Sequence, residues 1–122
     1  MENKEYQKIR GKVIRGKGKG QKIGFPTANL DVDAKVEGGV YAGIVEFEGR
    51  RYKAGLIYFA DKKILEVHIL DFSGDLYGKE IDVEIGKKIR EPENFDSDAE
   101  LISQIKKDLE LIKNYYSHVR HS

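Results

Sequence analysis

The hydrophobic pattern of this chain changes period once, near Ser97, and that switch constrains the fold more than any other feature. Upstream of it, apolar residues recur at every second position. In "KEIDVEIG", residues 79–86, Ile81, Val83 and Ile85 share one side while Glu80, Asp82 and Glu84 share the other. That is a strand with one face inward and one in water. "KKILEVHILDF", residues 62–72, is a second β-rich run, and "QKIRGKVIRG" reads as a first strand ending at Gly16. "VYAGIVEFEGRRYKAGLIYFA" reads as a hairpin: Val40, Ala42 and Ile44 share one parity, and Tyr41, Val45 and Phe47 the other. "EGRR" supplies its turn, with Gly49 free to take positive φ. "SGD" at Ser73–Asp75 is a further turn signal.

Downstream, Leu101, Ile102, Ile105, Leu109, Ile112, Tyr116 and Val119 form one stripe at helical spacing. Ser97 with Glu100 three residues on is a capping-box signature, so the helix is expected over about 97–119. Its stripe is ordinary core, which favours a lid on the sheet over a partner-binding helix. Short antiparallel strands closed by one helix predict a small β-barrel, over about residues 8–91. No βαβ alternation is present, which disfavours a Rossmann or P-loop architecture.

The 122 residues fit one domain, 1–122. The sequence contains no Cys, which excludes disulfides, thiolate metal sites and Cys nucleophiles and suits a reducing compartment. "MENKEYQKIRGK" lacks an apolar core, so no signal peptide is expected. No apolar run approaches the roughly 20 residues that span a bilayer. A soluble, cytoplasmic protein is expected. Charge is unevenly spread. Residues 1–30 carry eight Lys/Arg against two acids, and the remainder 14 against 19, so a +6 segment precedes a −5 one. A basic, Gly-rich first quarter suits an anionic partner, or is simply a solvated edge.

Four stretches could carry chemistry. Gly11–Lys17 fits the start of a Walker loop, but Gly18 stands where Ser or Thr should be and no helix signal follows, so a P-loop is rejected. Glycines at 16, 18 and 20 still let backbone N–H groups approach an anion, with Lys17, Lys19 and Lys22 around them. In "PTAN", Pro26 fixes its own φ and pushes Phe25 towards extended geometry. Thr27 and Asn29 then share a face if they continue a strand. They could hold Mg²⁺ or phosphate oxygens, or form an Asx/ST turn. In "LEVHIL", Leu65, Val67 and Ile69 face one way and Ile64, Glu66, His68 and Leu70 the other. A carboxylate among apolar neighbours is costly unless paired or used, and desolvation raises its pKa towards that of a general base. The alternative is a rim pair of Glu66 and His68. Arg90 precedes a turn at Pro92 and could bind an anion or stack on a ring. Phe95 equally suits a hydrophobic staple.

Taken together, "GKVIRGKGKGQKIGFPTANL" (11–30), "GVYAG" (39–43), "LEVHILDFSGDLYGKEI" (65–81) and "IREPENFDSDAELISQIKKD" (89–108) resemble the riboflavin kinase (flavokinase) family in order and spacing. The resemblance covers roughly 100 residues and rests on two independent motifs. It implies a mainly β fold, a six-stranded antiparallel Greek-key-like barrel with one long C-terminal helix. It implies transfer of the ATP γ-phosphate to the ribityl 5′-hydroxyl of riboflavin, giving FMN and ADP, with Mg²⁺ as cofactor. Carried over by motif, Gly16, Gly18, Gly20 and Lys22 would hold nucleotide. Thr27 and Asn29 would serve both nucleotide and metal. Glu66 would be the base, and Arg90 and Phe95 would line the flavin side. One departure stands out: where the family usually carries an N-I-G-x-x-P-T-like stretch in a longer flap, this chain has "AGLIYFADKK" at 54–63. Many bacterial relatives also carry an FMN adenylyltransferase domain, with no counterpart in this sequence. The expected partners are riboflavin and ATP, with no nucleic acid and no membrane, and the expected state is a monomer. The alternatives are a non-catalytic flavin- or nucleotide-binding module of the same fold, or a small nucleic-acid-binding barrel. The latter lacks interleaved aromatics, since Tyr6 and Phe25 are the only ones before Tyr41.

Overall fold

The computed structural model of this chain describes residues 7–16 and 24–117. Six strands, β1 (Gln7–Ile14), β2 (Ala28–Asp31), β3 (Gly39–Phe47), β4 (Arg50–Phe59), β5 (Ile64–Ile69) and β6 (Glu80–Arg90), precede one helix, α1 (Asp98–Tyr115). The strands close into an antiparallel barrel in the order β1-β2-β5-β4-β3-β6. β3, β4 and β5 form a meander, and β6 returns by a long connection to lie beside β3. That is the Greek-key order. Closure removes the sheet edges that would otherwise invite further pairing.

The two periods of the sequence explain which side chains fill which layer. Val13, Leu30, Tyr41, Val45, Leu56 and Leu65 pack inside the barrel with Val67, Ile81, Val83 and Ile85. Both parities of β3 are buried. Tyr41 and Val45 face the barrel interior, while Ala42 and Ile44 pack outside it against Ile112 and Tyr116 of the helix segment. Each fully buried Leu or Ile of this kind contributes roughly 2 kcal/mol. The outer face of β6 is polar as expected, with Asp82 accepting a 2.8 Å bond from Arg10 Nε of β1.

The hairpin between β3 and β4 turns on Glu48 (φ 53°) and Gly49 (φ 79°), the paired positive values of a tight two-residue loop. Ser97 Oγ accepts from Glu100 N at 3.2 Å, starting α1 where the sequence placed it. The returning arm of the cap reaches Asp96 N instead of the backbone of Ser97. Two boundaries differ from expectation, and the departure noted at 54–63 takes a definite form. β1 ends at Ile14, because its ladder to β2 stops at the Ile14–Asn29 pair. The helix ends at Tyr115, short of the expected Val119, which lies outside the described residues. The segment at 54–63 forms no flap: residues 54–59 belong to β4, and the chain turns through Ala60–Lys63 with Lys63 N bonded to Phe59 O at 2.8 Å.

Candidate functional site

Two clefts open at one side of the barrel and meet. The larger, about 550 Å³, lies between the end of β1, the start of β2 and the connection from β5 to β6. Arg15, Gly16, Asn29, Ser73 and Asp75 give it a polar lining. The smaller, about 300 Å³, lies between the barrel wall and α1. Phe25, Val40, Ile57, Phe59, Leu101 and Ile105 make it largely apolar, and Glu66 is among its few charged groups. Both volumes fall within the roughly 300–1,000 Å³ usual for small-molecule sites. Thr27 and His68 line both clefts. These two residues form the shared wall.

Local sequence explains this wall. Pro26 has no N–H to give a ladder, so β2 begins only at Ala28. Within β2, Asn29 pairs opposite Glu66 of β5. Residues directly opposite in an antiparallel pair have Cα atoms about 4.5–5.5 Å apart. The register therefore sets Asn29 of one motif and Glu66 of the other on the same face of the sheet, on neighbouring strands. Asn29 is 8% exposed. A Cβ on Gly16 would run into its carboxamide, so any larger residue there would displace the amide. Burial pushes the Glu66 carboxyl above the ordinary carboxylate range, with Lys62 pulling weakly the other way. A carboxylate in this state is a better proton acceptor than one in water.

The expected residues separate across the two clefts. Gly16, Thr27 and Asn29 come together at the larger one. Glu66, Arg90 and Phe95 line the smaller one. Gly18, Gly20 and Lys22 lie outside the described residues. Arg90 is not a free cation. Its Nε and Nη2 bond Asp108 of α1 at 3.0–3.1 Å, and Nη1 bonds the Glu91 carbonyl at 3.1 Å. Its guanidinium sits 5.7 Å from the Phe95 ring centroid, which is a cation–π distance. Gln104 Nε2 donates a further 2.9 Å bond to Asp108. The pair ties β6 to the helix that walls the smaller cleft.

Three features escaped sequence reasoning. Asp108 interrupts the apolar face of α1 between Ile105 and Ile112, and that misplaced carboxylate was the available signal. Arg15 stacks over the Tyr77 ring at 4.0 Å on the rim of the larger cleft, a contact between the end of β1 and the segment leading into β6 that has no local signature. His68 Nδ1 lies 2.8 Å from the Pro26 carbonyl, and its ring meets Phe25 edge-on.

Among the described residues no group of three or more His, Cys, Asp or Glu side chains is placed to hold a metal ion. The Thr27 hydroxyl and Asn29 carboxamide are neutral oxygen donors. They fit a hard cation brought in by phosphates, which keeps waters of its own, and not a resident ion held by protein carboxylates.

The sequence model of a family described as riboflavin kinase (flavokinase) matches residues 3–116. The RNA-binding riboflavin kinase RibR of Bacillus subtilis is 41% identical over 115 residues, covering 85% of this chain and 49% of that protein. A bifunctional riboflavin kinase/FMN adenylyltransferase of Buchnera aphidicola is 37% identical over 120 residues, covering 89% and 38%. The chain thus spans about half or less of the length of these curated relatives. Among solved structures, a chain described as a macrolide-efflux protein from Streptococcus pneumoniae superposes with a TM-score of 0.75 at 34% identity, covering 88% of this chain and 37% of that one. No helix among the described residues here is long and apolar enough to cross a membrane.

Proposed function

The chain belongs to the riboflavin kinase (flavokinase) family, and from that premise we propose that it transfers the γ-phosphate of ATP to the 5′-hydroxyl of riboflavin, releasing FMN and ADP. The observation that carries this reading is the meeting of a polar and an apolar cleft at Thr27 and His68, with a desolvated Glu66 alongside. The polar cleft suits nucleotide phosphates. The apolar slot between barrel and α1 suits a flat heteroaromatic ring, with Arg90 and Phe95 at its end.

The reaction follows from that division of labour. The ribityl chain reaches from the ring slot to the shared wall and presents its terminal hydroxyl there. Glu66 accepts the hydroxyl proton as the oxygen bonds to the γ-phosphorus. The bond from that phosphorus to the bridging oxygen breaks, and ADP leaves with the electron pair. Phosphoryl transfer of this kind needs positioning and charge neutralisation more than covalent help. Backbone N–H groups of Gly16, Gly18 and Gly20, with Lys22, would hold the phosphates. Thr27 and Asn29 would hold Mg²⁺, which when bound offsets the phosphate charge.

Incubation with riboflavin and Mg-ATP, followed by chromatography, should yield one FMN per ADP. ADP without FMN would refute the reading. The tight turn at 60–63, in place of a longer flap, favours a second reading: a module that binds flavin or nucleotide without turnover. Tight riboflavin binding with no FMN would select it. Thr27→Val should weaken Mg²⁺-dependent nucleotide binding while leaving the barrel intact, since the two side chains are nearly isosteric. A Mg²⁺ titration of ADP binding that matches wild type would remove Thr27 from the metal site.

A further inference from the structure

We propose that His68 is a positioning residue for the nucleotide side of the site, acting through a ring Nδ1–H that holds the Pro26–Thr27 peptide. This inference rests on the kinase reading above for its substrate and goes beyond it in assigning His68.

The pairing of β2 with β5 ends at Ala28–Val67. One step further along that register sets Thr27 opposite His68 and Pro26 opposite Ile69. Proline cannot donate a ladder bond, so the backbone pairing stops where the site begins. The His68 side chain supplies the missing cross-strand bond. Its Nδ1 lies 2.8 Å from the Pro26 carbonyl. A carbonyl can only accept, so Nδ1 carries the hydrogen and the tautomer is fixed. The Phe25 ring, 5.7 Å away and inclined at 75°, braces the imidazole from the side.

The peptide unit is planar, so holding the Pro26 carbonyl also fixes the plane containing the Thr27 N–H. Thr27 is the residue both clefts share with His68. A freed carbonyl would let that plane rotate and carry the Thr27 hydroxyl away from the polar cleft. His68 is half-buried but its bond to Pro26 is solvent-exposed, so water can take up the freed carbonyl without restoring the orientation of the peptide. The donor persists whether the ring is neutral or protonated, which separates this role from acid–base catalysis.

The test compares His68→Asn with His68→Gln. The Asn carboxamide nitrogen falls near the position of Nδ1, whereas that of Gln falls near Nε2. Calorimetry with Mg-ADP and fluorescence quenching with riboflavin read the two clefts separately. His68→Asn should bind Mg-ADP close to wild type. His68→Gln should bind it about tenfold more weakly, the loss of one such hydrogen bond, with a smaller change for riboflavin. Equal behaviour of the two variants towards Mg-ADP would overturn the proposal: both normal removes any role, and both weak transfers the role to the ring itself. Wild type that binds Mg-ADP yet makes no FMN would remove the kinase reading and leave the His68 assignment standing. Wild type that binds no Mg-ADP would overturn both.

Discussion

Replacing Glu66 with Gln is expected to slow FMN formation by about 10²–10⁴-fold, the usual worth of a positioned general base, while riboflavin and Mg-ATP binding stay nearly unchanged. The carboxamide keeps the volume and a hydrogen-bonding oxygen but cannot accept the proton. Turnover near that of wild type would remove Glu66 from the chemistry. The same variant has a second signature in the metal-free protein. Burial raises the folded-state pKa of Glu66 above its unfolded value. Between those two values the folded state binds more protons, so stability falls as pH rises through that window. Urea midpoints of wild type should drop across the window just above the ordinary carboxylate range, and those of Glu66→Gln should not. Parallel pH curves would show that Glu66 is better hydrated than the structure places it.

Truncating Asp108 to Ala should destabilise the fold by about 2–3 kcal/mol. Breaking a dry ion pair by removing one partner costs about 3–5 kcal/mol, because the remaining charge is left buried. The side chains here are 18% (Arg90) and 8% (Asp108) exposed, so the loss is expected below that range. The double variant Arg90→Met/Asp108→Leu leaves no unpaired charge and should recover much of the stability. Riboflavin binding should weaken in Asp108→Ala more than Mg-ADP binding. Ile112 and Tyr116 anchor the far end of the helix segment against Ala42 and Ile44. The Arg90–Asp108 pair holds its middle, and Leu101 and Ile105 wall the cleft beyond it. Chemical denaturation and flavin titration measure the two effects. A loss within error of zero would make the pair a surface contact. Equal losses for both ligands would deny it a part in the smaller cleft.

The barrel was legible because alternation survives wherever one strand face meets the core, as in Ile81, Val83 and Ile85. The double burial of β3 was visible as two apolar parities, but its cause, a helix lying over Ala42 and Ile44, is tertiary. The helix start was legible because a cap is local chemistry, carried by Ser97 and Glu100. The end of β1 was misplaced because it depends on where its ladder to β2 stops, at Ile14–Asn29, and that partner lies on the other side of a Gly-rich segment. Thr27, Asn29 and Glu66 could be named from motifs, yet only the β2–β5 register seats Asn29 opposite Glu66. Arg90 looked like a free cation because its partner lies 18 residues on, inside a stripe read as apolar. His68 was read only as half of a rim pair. Its bond to Pro26 spans 42 residues and answers a need created by a proline, which no local pattern announces.

If the two clefts divide nucleotide from flavin and meet at Thr27, a crystal structure with ADP, Mg²⁺ and FMN will show it. The ADP phosphates should lie in the cleft lined by Gly16 and Asn29, and the flavin ring between the barrel and α1. The FMN phosphate should sit at Thr27, with its ester oxygen within hydrogen-bond reach of Glu66. Both ligands in one cleft, or a flavin ring bound away from α1, would rule out that division.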